Sequence, residues 1–148
     1  MMTLRTLRLA GLLLLLAPFA CECQPGPGDA GPDGSGGVLV ARAVGGGFEL
    51  SLEDLDAPLR TLQVGVTLTG TRATALSAAG VVAHDVLEAG LDQPKESFTA
   101  VVADTRRLLL TEGAIARIDT EGAGQIQLRS ALAIDDEGQR AALALEVR

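Results

Sequence analysis

Two cysteines, one histidine and several acidic clusters are the side chains in this 148-residue sequence whose chemistry could reach beyond packing. Cys21 and Cys23 are separated by a single residue, a spacing that rarely reaches disulfide geometry. A zinc site would draw its four ligands from Cys, His and carboxylates, and the sole histidine, His84, lies far along the chain. His84 precedes Asp85, but adjacent residues of a strand point to opposite faces. The pair therefore lacks the arrangement in which a general base is oriented by its partner and faces a nucleophile. Ser35, Ser51, Ser77, Ser97 and Ser130 sit in no Gly-x-Ser-x-Gly elbow. His84 reads as a surface position on a strand. No catalytic residue is assigned, and the expectation is a protein that is not an enzyme and needs no cofactor.

The acidic clusters Glu53-Asp54 with Asp56, and Asp135-Asp136-Glu137, are the places a hard cation would be sought. Calcium takes six to eight oxygens, and an EF-hand spaces them over a fixed twelve-residue loop. That spacing is absent, and Asp is common in turns because its side chain hydrogen-bonds its own backbone. Both clusters read as turns, with no metal assigned. Gly45-Gly46-Gly47 has no lysine nearby and no helix after it, so it is not a phosphate loop. Arg106-Arg107 followed by Leu108-Leu109-Leu110 is expected to be a further strand or a loop packed over one end of the domain. The alternative is a partner surface built on exposed leucines.

Cys21 acquires a role from the residues that precede it. Arg5 and Arg8 lead into an apolar run from Leu9 to Ala20, too short for the ~20 residues that span a bilayer and of the right length for a signal-peptide core. A plain cleavage site of the A-x-A kind would want a small residue where Pro18 stands. Ala17-Pro18-Phe19-Ala20-Cys21 instead resembles the bacterial lipobox, with Ala20 and Cys21 in register and Pro18 and Phe19 departing from it. That resemblance implies cleavage before Cys21 and a diacylglyceryl group on its sulfur. Cys23 then remains an unpaired thiol. The expected address is the cell envelope, with a lipid anchor in the outer membrane or cell surface; plain secretion is the alternative.

Gln24 to Gly37 holds six glycines and three prolines, a composition that cannot bury a core and behaves as a flexible tether. The division expected is 1–20 signal peptide, 21–37 lipid-attachment cysteine and linker, and 38–148 a single folded domain. Without Arg5 and Arg8 the remainder carries 10 basic and 19 acidic side chains. Such a body lacks the basic face that releases counterions from nucleic acid, which excludes that class of partner.

The domain is written in short apolar runs of period two. Leu62, Val64, Val66 and Leu68 alternate with Thr61, Gln63, Gly65, Thr67 and Thr69, the mark of a strand buried on one face. Val38 to Val44 is a first strand, and Phe48, Leu50 and Leu52 repeat the alternation. So do Phe98, Ala100 and Val102; Ala114, Ala116 and Ile118; Ile126 and Leu128; and Leu143, Leu145 and Val147. Residues 73–89 tolerate either conformation; the Gly80-Val81-Val82 interruption favours two strands over a helix. Short strands with Gly- and Asp-rich breaks predict an all-β fold, a single antiparallel β-sandwich.

The order of these segments resembles the cohesin and cellulose-binding-module superfamily of jelly-roll-like β-sandwiches. The resemblance is carried by Leu62-Gln63-Val64-Gly65-Val66-Thr67-Leu68, then Ala75-Leu76-Ser77-Ala78, then Ser97 to Asp104, a loop ending at Gly113, Ala114 to Ile118, and Ile126-Gln127-Leu128. It spans roughly residues 38 to 148, with Gly70-Thr71-Arg72 where the family commonly turns on Tyr-Asp-Pro. It implies an exported docking or binding module that tolerates calcium, and it transfers no partner-contacting residue. The function expected is a non-enzymatic, lipid-anchored envelope or cell-surface protein whose β-sandwich binds another protein or serves as a structural module. The alternative is a carbohydrate-binding module with a polysaccharide partner. With three Phe and no Trp or Tyr, the chain is poor in the rings on which sugars stack, and Phe48 and Phe98 share parity with core residues.

Overall fold

A computed structural model describes residues 36–80, 86–103 and 109–148. Cys21, Cys23, the leader and the tether up to 35 lie outside the described residues, as do His84 and Arg106-Arg107-Leu108.

The described residues are all-β. The strands are β1 (Gly36–Val44), β2 (Gly47–Glu53), β3 (Leu59–Thr69), β4 (Ala73–Ala78), β5 (Val86–Glu88), β6 (Ser97–Ala103), β7 (Gly113–Thr120), β8 (Gln125–Asp135) and β9 (Arg140–Val147). Their hydrogen-bonded order is β4-β7-β2-β1-β9-β8-β3-β6-β5. One layer is β4-β7-β2-β1-β9 and the other β8-β3-β6-β5. Leu39, Leu50 and Ile118 of the first share a single core with Leu62, Val64 and Phe98 of the second, so the arrangement is a two-layer β-sandwich.

β9 joins the layers on one side. Ala141 and Arg140 pair with Ala133 and Ile134 of β8, after which Ala142 to Val147 run parallel to Gly36 to Ala41 of β1. Every other strand pairing is antiparallel. On the other side β4 meets the segment just before β6, where the backbones of Ala73 and Lys95 exchange hydrogen bonds of 2.8 and 3.1 Å.

β3 carries the core of the second layer. Its Leu62 and Val64 are fully buried and Val66 and Leu68 nearly so, each worth ~1.5–3 kcal/mol relative to an exposed side chain. Phe98, Ala100 and Val102 oppose Val66, Val64 and Leu62 from β6. Residues 73–80 and 86–89 form strand and loop, in keeping with the strand reading. Phe48, Leu50 and Leu52 all face the core.

Two of the four register shifts between strands alter the expected parity of β7 and β8. Between β2 and β7 the register shifts at Leu50 and Ser51, leaving Ile115 as the extra residue. The core side of β7 is therefore Ile115, Ala116 and Ile118, with Ala114 only half-buried; the expected inward Ala114 is displaced by Ile115. Between β3 and β8 the register shifts at Gly65 and Val66, leaving Arg129 extra. Inward positions then change from Ile126 and Leu128 to Ala133 and Asp135. At the C-terminal end Leu143 and Leu145 pack against the core, but Val147 is 54% exposed.

Tight turns depend on glycine where the backbone demands it. The β1–β2 hairpin turns through Gly45-Gly46, with Gly46 at φ 84°. A Cβ on Gly47 would sit 1.9 Å from the Ile118 carbonyl oxygen, so that position admits no side chain.

Candidate functional site

The acidic clusters serve the fold. Glu53 accepts hydrogen bonds from Arg42 and, at 2.9 Å, from Arg148. The Arg42 hydrogen bond is the main cause that holds the Glu53 carboxyl below the usual range. Asp56 accepts the Gly36 backbone N–H at 2.8 Å, fastening the start of β1. Asp135 is buried and caps its own turn, accepting N–H groups of Glu137 at 3.0 Å and Gln139 at 2.8 Å. Among the described residues no group of three or more His, Cys, Asp or Glu gathers to hold a metal ion. Leu110 is fully buried, and its backbone pairs with Leu59 through bonds of 2.7 and 2.9 Å. Leu109 is half-buried. At these two leucines the loop packs over the sandwich and offers no exposed apolar surface.

The two outer faces of the sandwich differ in kind. On the β4-β7-β2-β1-β9 layer the outward positions mix apolar side chains, Val38 and Ala144 among them, with charged ones that pair with one another. Arg42 meets Glu53, Arg148 meets Glu53 and Glu146, and Arg117 meets Asp119 at 2.9 Å. Arg42 also donates to the buried Ser51 hydroxyl at 3.2 Å. Val40, opposite Ser51 and Glu146, is fully buried although it lies outside the core cluster. The long charged stems shield it. Six charged side chains of this face are thus already paired with one another.

The outer face of β8-β3-β6-β5 is nearly uncharged. Its rows follow from the register. Ile134, Thr61 and Ala103 form one, Leu132, Gln63, Val101 and Glu88 the next, and Ser130, Gly65 and Thr99 a third, followed by Gln127, Thr67 and Ser97. Val101, Ile134 and Ala103 are half-buried, and Leu132 is 41% exposed. An apolar centre ringed by hydroxyl and amide groups is the composition of a docking patch: it desolvates cheaply, and its rim finds hydrogen-bond partners. A shallow hollow beside the start of β6, lined by Glu88, Gly90, Lys95, Phe98 and Val101, borders one flank. Lys95 is held there by Asp92 at 3.2 Å and by the Gly90 carbonyl at 2.5 Å.

No protein-family model matches the sequence, and no curated relative matches it. Solved structures do match the fold. A chain of the type I cohesin–dockerin complex from Clostridium thermocellum aligns at 11% identity over 78% of this chain and 95% of that one, with a TM-score of 0.54. The fold is cohesin-like. A cohesin module from a Clostridium perfringens family 33 glycoside hydrolase aligns at 12% identity over 77% and 98%, TM-score 0.52. The non-cellulosomal cohesin of the archaeon Archaeoglobus fulgidus aligns at 11% identity over 74% and 86%, TM-score 0.50. These superpositions show a cohesin-like fold, and at such low identity they transfer no individual residue.

The outward alternation Thr61, Gln63, Gly65, Thr67 and Thr69 is plain in the sequence and supplies the middle of this face. Val101, Leu132, Arg129 and Glu88 are not singled out by it. For Leu132 and Arg129 the signal is the switch of apolar parity from Ile126 and Leu128 to Ala131 and Ala133, which a bulge produces.

Proposed function

We propose that this chain is a non-enzymatic, lipid-anchored protein of the cell envelope whose cohesin-like module binds another protein through the outer face of β8-β3-β6-β5. The observation that carries the reading is the contrast between the two faces. One carries a cluster of ion pairs among its own side chains, and the other is charged only at its flanks and has a half-buried apolar centre, on an otherwise acidic body. A partner docking there strips water from Val101, Ile134 and Leu132 without burying an unpaired charge at the centre, the condition under which an interface gains rather than loses free energy. A fold neighbour from Clostridium thermocellum was solved in a cohesin–dockerin complex, so the architecture supports protein docking in that protein. Sugar binding is disfavoured because Phe48 and Phe98 are 5% and 9% exposed in the core, leaving no ring on either described face.

Anchoring rests on the lipobox-like residues before Cys21 and on the Gly/Pro-rich stretch from Gln24 to Gly37 that leads into the module. A chain with Cys21→Ser should lose its lipid and leave the detergent phase, while the unaltered protein partitions into it. Capture from solubilised envelope tests the docking face. The unaltered module should retain a protein, and Val101→Glu should lose it with the fold intact. Retention of polysaccharide by the unaltered module, or equal protein retention by the variant, would contradict the reading.

A further inference from the structure

The outer face of β8-β3-β6-β5 is charged at its flanks and nearly neutral between them. A Cβ placed on Gly65 would lie 3.7 Å from the Cβ of Arg129 and 3.1 Å from the Ser130 hydroxyl. The bulge thus turns both Arg129 and Ser130 onto this face. Arg129 is exposed and makes no ion pair among the described residues. Glu88, opposite the outward Val101, is likewise exposed and makes no ion pair among the described residues. Strands lie ~4.8 Å apart, so cation and anion stand about three strand spacings from each other. Gly65, Gln63, Thr99 and Val101 lie between them.

We propose that this face is self-complementary and that the protein, when it has no other partner, pairs with a second copy of itself through it. The proposal rests on the docking face described above and names its occupant. Glu88 stands in the Gln63–Leu132 row and Arg129 between the Gly65 and Val66 rows, so a two-fold axis between β3 and β6, in the plane of the face and inclined to the strands, brings each flank over the opposite one. Arg129 of one protomer then meets Glu88 of the partner subunit, and the same contact recurs in reverse, as an isologous interface requires. Leu132 is covered in the process. Elsewhere the acidic body, with a chain net charge of −7, would set like charges against each other; this face is where two copies meet with charges matched. Three strands of seven residues or more and the three-residue β5 give a patch of at most ~19 by ~24 Å. That is smaller than the ~800 Å² per partner of a standard interface, so the dimer is weak and concentration-dependent, and a better-fitting partner displaces it.

Sedimentation of the full chain, extracted from its membrane in density-matched detergent, measures this pairing. Monomer and dimer should interconvert over a micromolar concentration range. Glu88→Arg and Arg129→Glu should each weaken pairing about tenfold or more, because each sets like charges together. The double reversal should restore it. Both side chains are exposed, so circular dichroism should be unchanged in all three variants. A monomer at every concentration, or a dimer that the double reversal fails to restore, would overturn the proposal. A persistent monomer that still loses its captured protein on Val101→Glu would remove self-pairing and leave the docking face standing.

Discussion

Gly65 lies beneath Arg129: a methyl group placed on it would come within 3.7 Å of the arginine Cβ. The β8 bulge stands over β3 at this glycine and presents an arginine on an outer surface whose other β8, β3 and β6 positions are uncharged polar or apolar side chains.

Glycines 47 and 65 should respond oppositely to the same substitution. Gly47→Ala drives a methyl into the Ile118 carbonyl and should cost about 1–3 kcal/mol. Gly65→Ala meets only the Ser130 hydroxyl at 3.1 Å, which can rotate. Glycine within a strand is itself unfavourable, so this change should be neutral to slightly stabilising. Urea denaturation read as a shift in midpoint at constant slope checks both.

Leucines 110 and 132 separate core from docking face. Leu110 is fully buried, so Leu110→Ala should cost about 2–5 kcal/mol. Leu132 is 41% exposed on the outer face, and Leu132→Ala should stay within about 0.5 kcal/mol while weakening any docking that covers it. Thermal unfolding of the two variants should differ plainly.

Glu53 ties β2 to Arg42 of β1 and to Arg148 after β9. Its carboxyl titrates below the usual range, chiefly through the Arg42 hydrogen bond and also through Arg148. A lowered folded-state value means that its contribution is fully present above the ordinary carboxylate range and is lost as pH falls through the lowered one. Arg42→Ala should move the Glu53 carboxyl resonance to titrate at higher pH, and salt should reduce the difference because the pair is only partly buried. A titration curve unchanged by the substitution would show that Arg42 is not the cause.

The strand plan was largely legible because one buried face enforces period two. The β3 run from Leu62 to Leu68 and the β6 run from Phe98 to Val102 sit in the core as their alternation requires. Bulges escaped that logic. Ile115 and Arg129 each insert a residue opposite a single partner, and parity read on one side of a bulge fails on the other. The parallel pairing of β1 with β9 was also invisible, since it joins the two ends of the domain through hydrogen bonds that leave no local pattern. The docking face was half legible. Its polar alternation on β3 stands in the sequence, but Glu88 and Arg129 become its two flanks only once β5 and β8 are placed on opposite sides of β3 and β6.

The central claim is that the β8-β3-β6-β5 face, and not its counterpart, meets another protein. A photocrosslinking residue at Thr99, on that face, should form protein adducts in the native envelope. The same residue at Ser77, on the outer side of the other layer opposite Arg117, should form few. Adducts from Thr99 that vanish with Val101→Glu are the predicted result; equal adducts from both positions, or adducts from Ser77 alone, would contradict it.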